Sequence, residues 1–225
     1  MSAAPRVAIL VPAYQEGQVV VRTLRSLLPL GHAVILIDDG SNDDTAARLR
    51  GWPIHYLRHP VNLGQGAALM TGMRYAARLG ATYVVHFDAD GQHRAEDIDT
   101  LLAPLRAGQA DVALGSRFLA GGSAPGMTPM RRVLLRAARW VNWLLTGLRL
   151  SDAHCGLRAL NQRAFGQIDL RQAGMAHATE LLSELYRHRL RVCEVPVEVR
   201  YDAYSRAKGQ SGWQALHILG ELMGF

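Results

Sequence analysis

Asp88 and Asp90 stand two residues apart at the end of an apolar run, Val84-Val85-His86-Phe87, and Gly91 and Gln92 follow at once. Side chains alternate along an extended chain, so the two carboxylates are expected to point the same way. Gly91 lets the backbone turn sharply, and Gln92 returns a neutral oxygen towards the pair. Two carboxylates at the mouth of a sheet repel each other unless a cation sits between them. A hard divalent ion carrying a phosphate substrate answers that need. Asp-x-Asp also arises by chance in loops, so its weight depends on what stands around it.

The elements around the pair form an alternating series. Apolar, β-branched runs predict strands at Val7–Val11, Ala33–Ile37, Ile54–Leu57, Thr82–Phe87 and Asp111–Leu114. Helical periodicity predicts helices near Gln18–Leu28, Asp43–Arg50, Gly66–Leu79 and Glu96–Arg106. This alternation implies an α/β fold with a mainly parallel sheet flanked by helices. Beyond the Gly- and Pro-rich loop at 120–126, the pattern predicts helices near Pro129–Leu148 and Ala178–His188, a strand near Val192–Val199 and a C-terminal helix from about Trp213. Ligands of open parallel sheets bind at the carboxyl ends of the strands. Polar motifs fall there five times: Pro12 to Glu16, Asp38 to Ser41, Asn62 to Gly66, Asp88 to Asp90 and Gly115 to Arg117.

At 225 residues, with 49% hydrophobic and 20% charged residues, the chain fits one globular domain. Cys155 and Cys193 have no zinc or disulfide-framework spacing, which fits a reducing compartment. No signal peptide and no membrane-spanning run is present in the sequence. The net charge of +6 is local. No acid lies between Asp111 and Asp152, an interval holding Arg117, Arg131, Arg132, Arg136, Arg139 and Arg149. A local cationic patch implies an anionic partner. Lys208, beside Arg206 in a polar loop, is the only lysine; the pair could close over phosphate groups or form a solvated turn.

Each remaining motif has a bland alternative. Asp38 and Asp39 end a strand, and one of them is expected to accept from ribose hydroxyls or a base N–H; alternatively Asp39 caps the following turn. Gly64-Gln65-Gly66 begins like a dinucleotide fingerprint, but Leu69 replaces the third glycine, so close helix–strand packing is the preferred reading. In the stretch Pro129–Leu150, Arg132, Arg136, Arg139 and Trp143 share one stripe, opposite Leu134, Ala138, Val141, Leu145 and Leu148. That pattern suits a helix lying on anionic lipid, with Trp140 and Trp143 at headgroup level, or a core helix with a solvated basic face. Nucleic acid is disfavoured, because no aromatic-basic interleaving forms a stacking platform.

Val11-Pro12-Ala13-Tyr14-Gln15-Glu16, Ile37 to Ser41, Asp88-Ala89-Asp90-Gly91-Gln92-His93 and Gly115-Ser116-Arg117 together resemble the family 2 glycosyltransferases of the GT-A fold, a single Rossmann-like domain. Ser151-Asp152, Cys155-Gly156-Leu157-Arg158 and Glu194-Val195-Pro196-Val197 resemble its dolichol- or polyprenyl-phosphate branch. The resemblance implies that Asp88, Asp90 and Gln92 hold Mg²⁺ or Mn²⁺ against a sugar-nucleotide diphosphate, GDP- or UDP-linked. It implies that Pro12, Tyr14, Glu16 and Asp39, with Asp38 beside them, grip the nucleoside. Arg117 and Arg131 would hold an acceptor phosphate, and Arg206 and Lys208 would close on the diphosphate. Residues 1–117 would then form a nucleotide-binding half, and 118–225 an acceptor- and membrane-facing half. The sequence departs from many relatives at Gln65, where they carry lysine, and in lacking appended transmembrane helices. Membrane contact is therefore expected through the basic helix, the C-terminal helix or a separate membrane partner, at the cytoplasmic face.

These expectations converge on inverting sugar transfer to a polyprenyl phosphate, with Asp90, Arg117 and Asp152 as the catalytic set. A phosphate acceptor is largely dianionic at neutral pH and needs no strong base; cationic positioning matters instead. Transfer to a glycan hydroxyl, the alternative, needs a base, and Asp152 is the residue for it. A third reading is a membrane-associated protein that binds nucleotide sugar without turnover.

Overall fold

Val7–Ala13 (β1) is apolar at nearly every position because helices cover both of its faces. The computed structural model describes residues 6–172 and 176–201. Its remaining strands are Ala33–Asp38 (β2), His55–Arg58 (β3), Tyr83–His86 (β4), Val112–Ser116 (β5), Arg158–Asn161 (β6) and Val192–Pro196 (β7). They form one seven-stranded sheet in the order β3-β2-β1-β4-β6-β5-β7, with β6 alone antiparallel to its neighbours.

Helices Val19–Leu27 (α1) and Asp97–Arg106 (α4) bury Val20, Leu24, Leu27, Ile98, Leu101 and Leu105 against one face. Gln65–Arg78 (α3), the short Gln162–Phe165 (α6) and His177–Arg187 (α7) cover the other. Gly72 lets α3 sit directly on the sheet, since a Cβ there would lie 2.9 Å from Ile37 Cδ1.

Several elements differ from the sequence expectation, the short helix α6 among them as an addition. The helix expected over 43–50 contracts to Thr45–Arg48 (α2). Asp43 turns its carboxylate onto Thr45 N and Oγ1 and onto Gly17 N, so it ends a turn instead of entering the helix. The last strand stops at Pro196; beyond it only isolated bridges pair Val199 with His93 and Glu198 with Ser123. Strand β6 has no counterpart in the sequence reading, and it separates β4 from β5. The C-terminal helix expected from Trp213 lies outside the described residues.

Pro129–Thr146 (α5) forms where periodicity places it. Thr128 caps its first turn by accepting from Arg131 N, Pro129 occupies a position where no N–H is needed, and Gly147 ends it in the left-handed region at φ 74°. Its orientation is the finding. Asn142 and Thr146 are its buried residues, and Thr179 Oγ1 of α7 donates to Asn142 Oδ1 at 3.1 Å. Met130, Val133, Leu134, Trp140, Leu144 and Leu145 face solvent. Of the stripe expected from the sequence, Leu134 and Leu145 are exposed, Ala138 and Val141 are half-buried, and Leu148 packs against the core. Leu24→Ala should cost about 2–5 kcal/mol and Val133→Ala no more than about 0.5 kcal/mol. Urea unfolding of the two variants checks this contrast.

Candidate active site

The carboxyl edge of the sheet gathers the polar motifs. Asp88 and Asp90 lie just past β4, in a turn that Gly91 closes at φ 73°. Ala89 between them is buried against the α1 side, and Thr23 Oγ1 donates to its carbonyl at 2.9 Å. This anchors the turn to the core. Asp88 accepts from Gln65 Nε2 at 3.0 Å and from His93 Nε2 at 3.1 Å. Asp90 accepts from Gln92 N at 3.0 Å, and Gln92 O accepts from Arg200 N.

The two carboxyls differ in charge. Burial opposes ionisation of Asp88, but the His93 hydrogen bond and charge, with Arg158 and His177 farther off, bring it down to about 2. Burial and the adjacent Asp88 charge push Asp90 up to about 6. The pair therefore holds one secure negative charge and a second that ionises reluctantly.

Gly156, which sequence reasoning left without a role of its own, proves structural to this pair. A Cβ on it would fall 1.9 Å from Asp88 Oδ2, so its bare backbone makes room for the carboxylate. Gln65, at the start of α3, donates to the same carboxylate.

Arg117 and Asp152 come together as a buried ion pair. Arg117 Nε donates to Asp152 Oδ2 at 2.6 Å and Nη2 to Oδ1 at 2.7 Å. Backbone Arg117 N adds 3.1 Å to Oδ2, and Nη1 donates to the Tyr201 hydroxyl. Burial works against the Arg117 charge, yet Asp152 raises its pKa further. Glu194 in turn accepts from Ser151 N, Ser151 Oγ and Asp152 N, which fixes the loop that presents Asp152. Both Asp152 oxygens are thus engaged, so it is not poised as a base in this arrangement. The Arg117 fork closes on protein and is not open to solvent. Arg131 sits over the Tyr201 ring at 4.9 Å and has no carboxylate within salt-bridge distance among the described residues. Tyr201, absent from the sequence reading, is what joins Arg117 to Arg131.

The expected nucleoside carboxylates are also committed. Asp38 accepts from Ser41 N and the Tyr56 hydroxyl. Asp39 accepts from Leu63 N at 2.9 Å, Gly64 N at 2.7 Å and His59 Nδ1 at 2.7 Å, so it shapes the loop that opens α3. Pro12 lies one residue before the end of β1, Tyr14 is exposed and Glu16 is buried. Gln15 is held at φ 55°, a costly angle for a non-glycine residue, with its N–H on Ser41 Oγ. Arg206 and Lys208 lie outside the described residues. Cys155 is free and buried, its thiol pushed up to about 12 by burial, which leaves no thiolate chemistry near neutral pH.

The charge asymmetry is testable by carboxyl ¹³C titration. Asp90 should titrate near pH 6 while Asp88 stays ionised down to about pH 2. Asp88→Asn should move the Asp90 step downwards. An Asp90 step unmoved by that change would contradict the stated electrostatic cause.

The chain matches the Glycosyl transferase family 2 profile over residues 8–179. It is 28% identical over 221 residues to a UDP-N-acetylglucosamine–dolichyl-phosphate N-acetylglucosaminyltransferase of Methanococcus voltae, covering 89% of this chain and 88% of that one. It is 30% identical over 203 residues to an undecaprenyl-phosphate mannosyltransferase of Micrococcus luteus, covering 85% and 82%. The fold is similar to glucosyl-3-phosphoglycerate synthase from Mycobacterium tuberculosis, solved with Mn²⁺, UDP-glucose and phosphoglyceric acid. The TM-score is 0.70 at 20% identity, over 99% of this chain and 81% of that one. A mainly parallel seven-stranded sheet, the polar edge motifs and the profile match agree: the chain belongs to glycosyl transferase family 2 and is a glycosyltransferase.

Proposed function

We propose that this protein transfers a sugar, with inversion, from a nucleoside diphosphate donor to a polyprenyl phosphate at the cytoplasmic membrane face. The observation that carries the lipid reading is the orientation of α5. Its apolar stripe faces outward, flanked by Arg132, Arg136 and Arg139 in an acid-free segment. Among the described residues no helix is long and apolar enough to cross a membrane. A helix of this kind lies in the interface, apolar side down, with arginines against lipid phosphates. Trp143 and Arg149 are stacked at 4.3 Å near its end, which suits headgroup depth. The Methanococcus and Micrococcus relatives, named for dolichyl- and undecaprenyl-phosphate transfer, support the same acceptor class.

We assign Asp88, Asp90 and Gln92 to a divalent cation, Mg²⁺ or Mn²⁺. The residues fit: burial and the adjacent Asp88 charge push Asp90 up, so a cation between them would be welcome, and carboxylate and amide oxygens suit a hard ion. No group of three or more His, Cys, Asp or Glu side chains converges among the described residues. That donor set suits an ion completed by waters and substrate phosphates. When bound, such an ion neutralises charge on the leaving diphosphate. Pro12, Tyr14, Glu16, Asp38 and Asp39 frame the nucleoside, the two aspartates by holding its loops. This gives the half up to residue 117 to the nucleotide and the rest to acceptor and membrane.

The chain's own residues then position two anions against each other. Arg131 reaches the acceptor phosphate, and Arg117 holds the wall behind it through Asp152 and Tyr201. We assign Arg206 and Lys208, which lie outside the described residues, to the diphosphate. A phosphate monoester brings its own nucleophilic oxygen, largely dianionic at neutral pH. The engagement of both Asp152 oxygens by Arg117 favours this acceptor over a hydroxyl, which needs a free base.

Asp90→Ala should lower transfer to polyprenyl phosphate by about 100-fold or more. Replacing Arg132, Arg136 and Arg139 together should weaken sedimentation with anionic liposomes while leaving the fold intact. Transfer to glycan hydroxyls only would establish the other acceptor. Donor binding without turnover would establish a non-catalytic role. Unchanged liposome binding would remove the membrane argument.

A further inference from the structure

A cavity of about 90 Å³ lies beneath Asp88, between β4 and β6 of the sheet and the covering helices α3 and α7. Gln65, His86, Asp88, His154, Arg158 and His177 bring polar groups to its wall. The chemistry of this wall is unusual for a protein interior. His86 is 2% exposed, and neither of its ring nitrogens has a hydrogen-bond partner. Arg158 is buried too; its Nε donates to Cys155 O at 2.9 Å, and no carboxylate comes within ion-pair distance among the described residues. Buried polar groups are normally satisfied, and each exception calls for an explanation. None of this is explained by the sheet or by the Asp88–Asp90 turn. Asp88 already has Gln65 and His93.

The wall selects among ligands. A cation suits this wall poorly, because the buried guanidinium of Arg158 already brings a positive charge to it. An anion would suit Arg158, but it would meet the Asp88 charge and leave the bare nitrogen of His86 facing another acceptor. The His86 ring is buried with no carboxylate or other partner on either nitrogen, and a neutral imidazole offers one donor and one acceptor. His154 is likewise kept neutral by burial. A hydroxyl group also offers one donor and one acceptor. A neutral, polyhydroxylated edge therefore matches His86, Arg158, Gln65 and Asp88 together, where an anion or an apolar group matches only some of them.

We infer that this cavity receives the hydroxyl-bearing edge of the donor's sugar, and that His86 is a specificity-determining residue that reads one of its hydroxyls. The inference rests on the sugar-transfer reading above and deepens it. A site that hydrogen-bonds a substrate hydroxyl rejects the analogue lacking it strongly, because its own buried groups are then left unpaired. His86 would impose that penalty on a sugar missing the matching hydroxyl.

Two measurements on the full chain test this. In the first, UDP-N-acetylglucosamine and GDP-mannose are screened as donors to polyprenyl phosphate, and the monodeoxy analogues of the one used are compared with it. At one ring position the wild type should lose about 100-fold or more in kcat/KM. In His86→Phe that ratio should fall below about tenfold, chiefly because the parent sugar becomes slower, while Tm holds or rises as a buried unsatisfied group is removed. The second needs no variant: ¹⁵N signals of the His86 ring should move with the nucleotide sugar and stay still with the nucleoside diphosphate alone. His86 signals indifferent to the sugar, or full discrimination retained in His86→Phe, would overturn the inference and leave a water-filled cavity. Absence of transfer by the wild type from any donor would instead overturn the proposed function.

Discussion

Two carboxylates forced into one half-buried turn set the terms for the rest of this molecule. Neither can be moved without cost. Ala89 between them is held in the core by Thr23, and Gly91 turns the chain where other residues would be strained. The repulsion is relieved asymmetrically. Asp88 receives His93, Gln65 and the bare surface of Gly156, while Asp90 keeps only its own turn. The result is a site with one charge in hand and another available to whatever cation arrives, which is how a hard divalent ion with few protein ligands is accommodated.

The cationic side of the edge is divided between a rigid part and a reaching part. Arg117 is spent on Asp152 and Tyr201, and Glu194 braces the loop behind them. A buried pair of this kind is weak evidence for stability but strong evidence for fixed geometry, since removing one partner strands the other. Arg131 leans on the same tyrosine from the start of α5 and remains without a carboxylate. The helix that exposes its apolar stripe thus begins beside the residue that anchors the edge. On the proposed reading, membrane contact and acceptor binding would share one element.

Much of this was legible in the sequence. Strand runs at β1, β2 and β4, the turn at Gly91 and the span of α5 follow from local periodicity and glycine placement. What was not legible lies in long-range contacts. β6 is a four-residue strand of Arg, Ala, Leu and Asn, without β-branched residues, and it exists because β4 and β5 both need a partner. Arg117 finds Asp152 35 positions away and Tyr201 84 positions away, distances at which no pattern of neighbours speaks. Asp38 and Asp39 carried a ligand-binding signature, yet Tyr56, His59 and the 62–64 loop claim their oxygens. Periodicity could also define the apolar stripe of α5 without saying which side meets the core. That was decided by Asn142 and Thr146, polar residues that pack against α7.

The central claim is that Asp88 and Asp90 hold a divalent cation against a nucleoside diphosphate. Electron paramagnetic resonance of Mn²⁺ added to the protein, with UDP or GDP present or absent, tests it most directly. The account predicts weak Mn²⁺ binding alone, markedly tighter binding with one of the two nucleotides, and loss of that gain in Asp90→Ala. Equal Mn²⁺ binding with and without nucleotide, or a gain that survives Asp90→Ala, would contradict it.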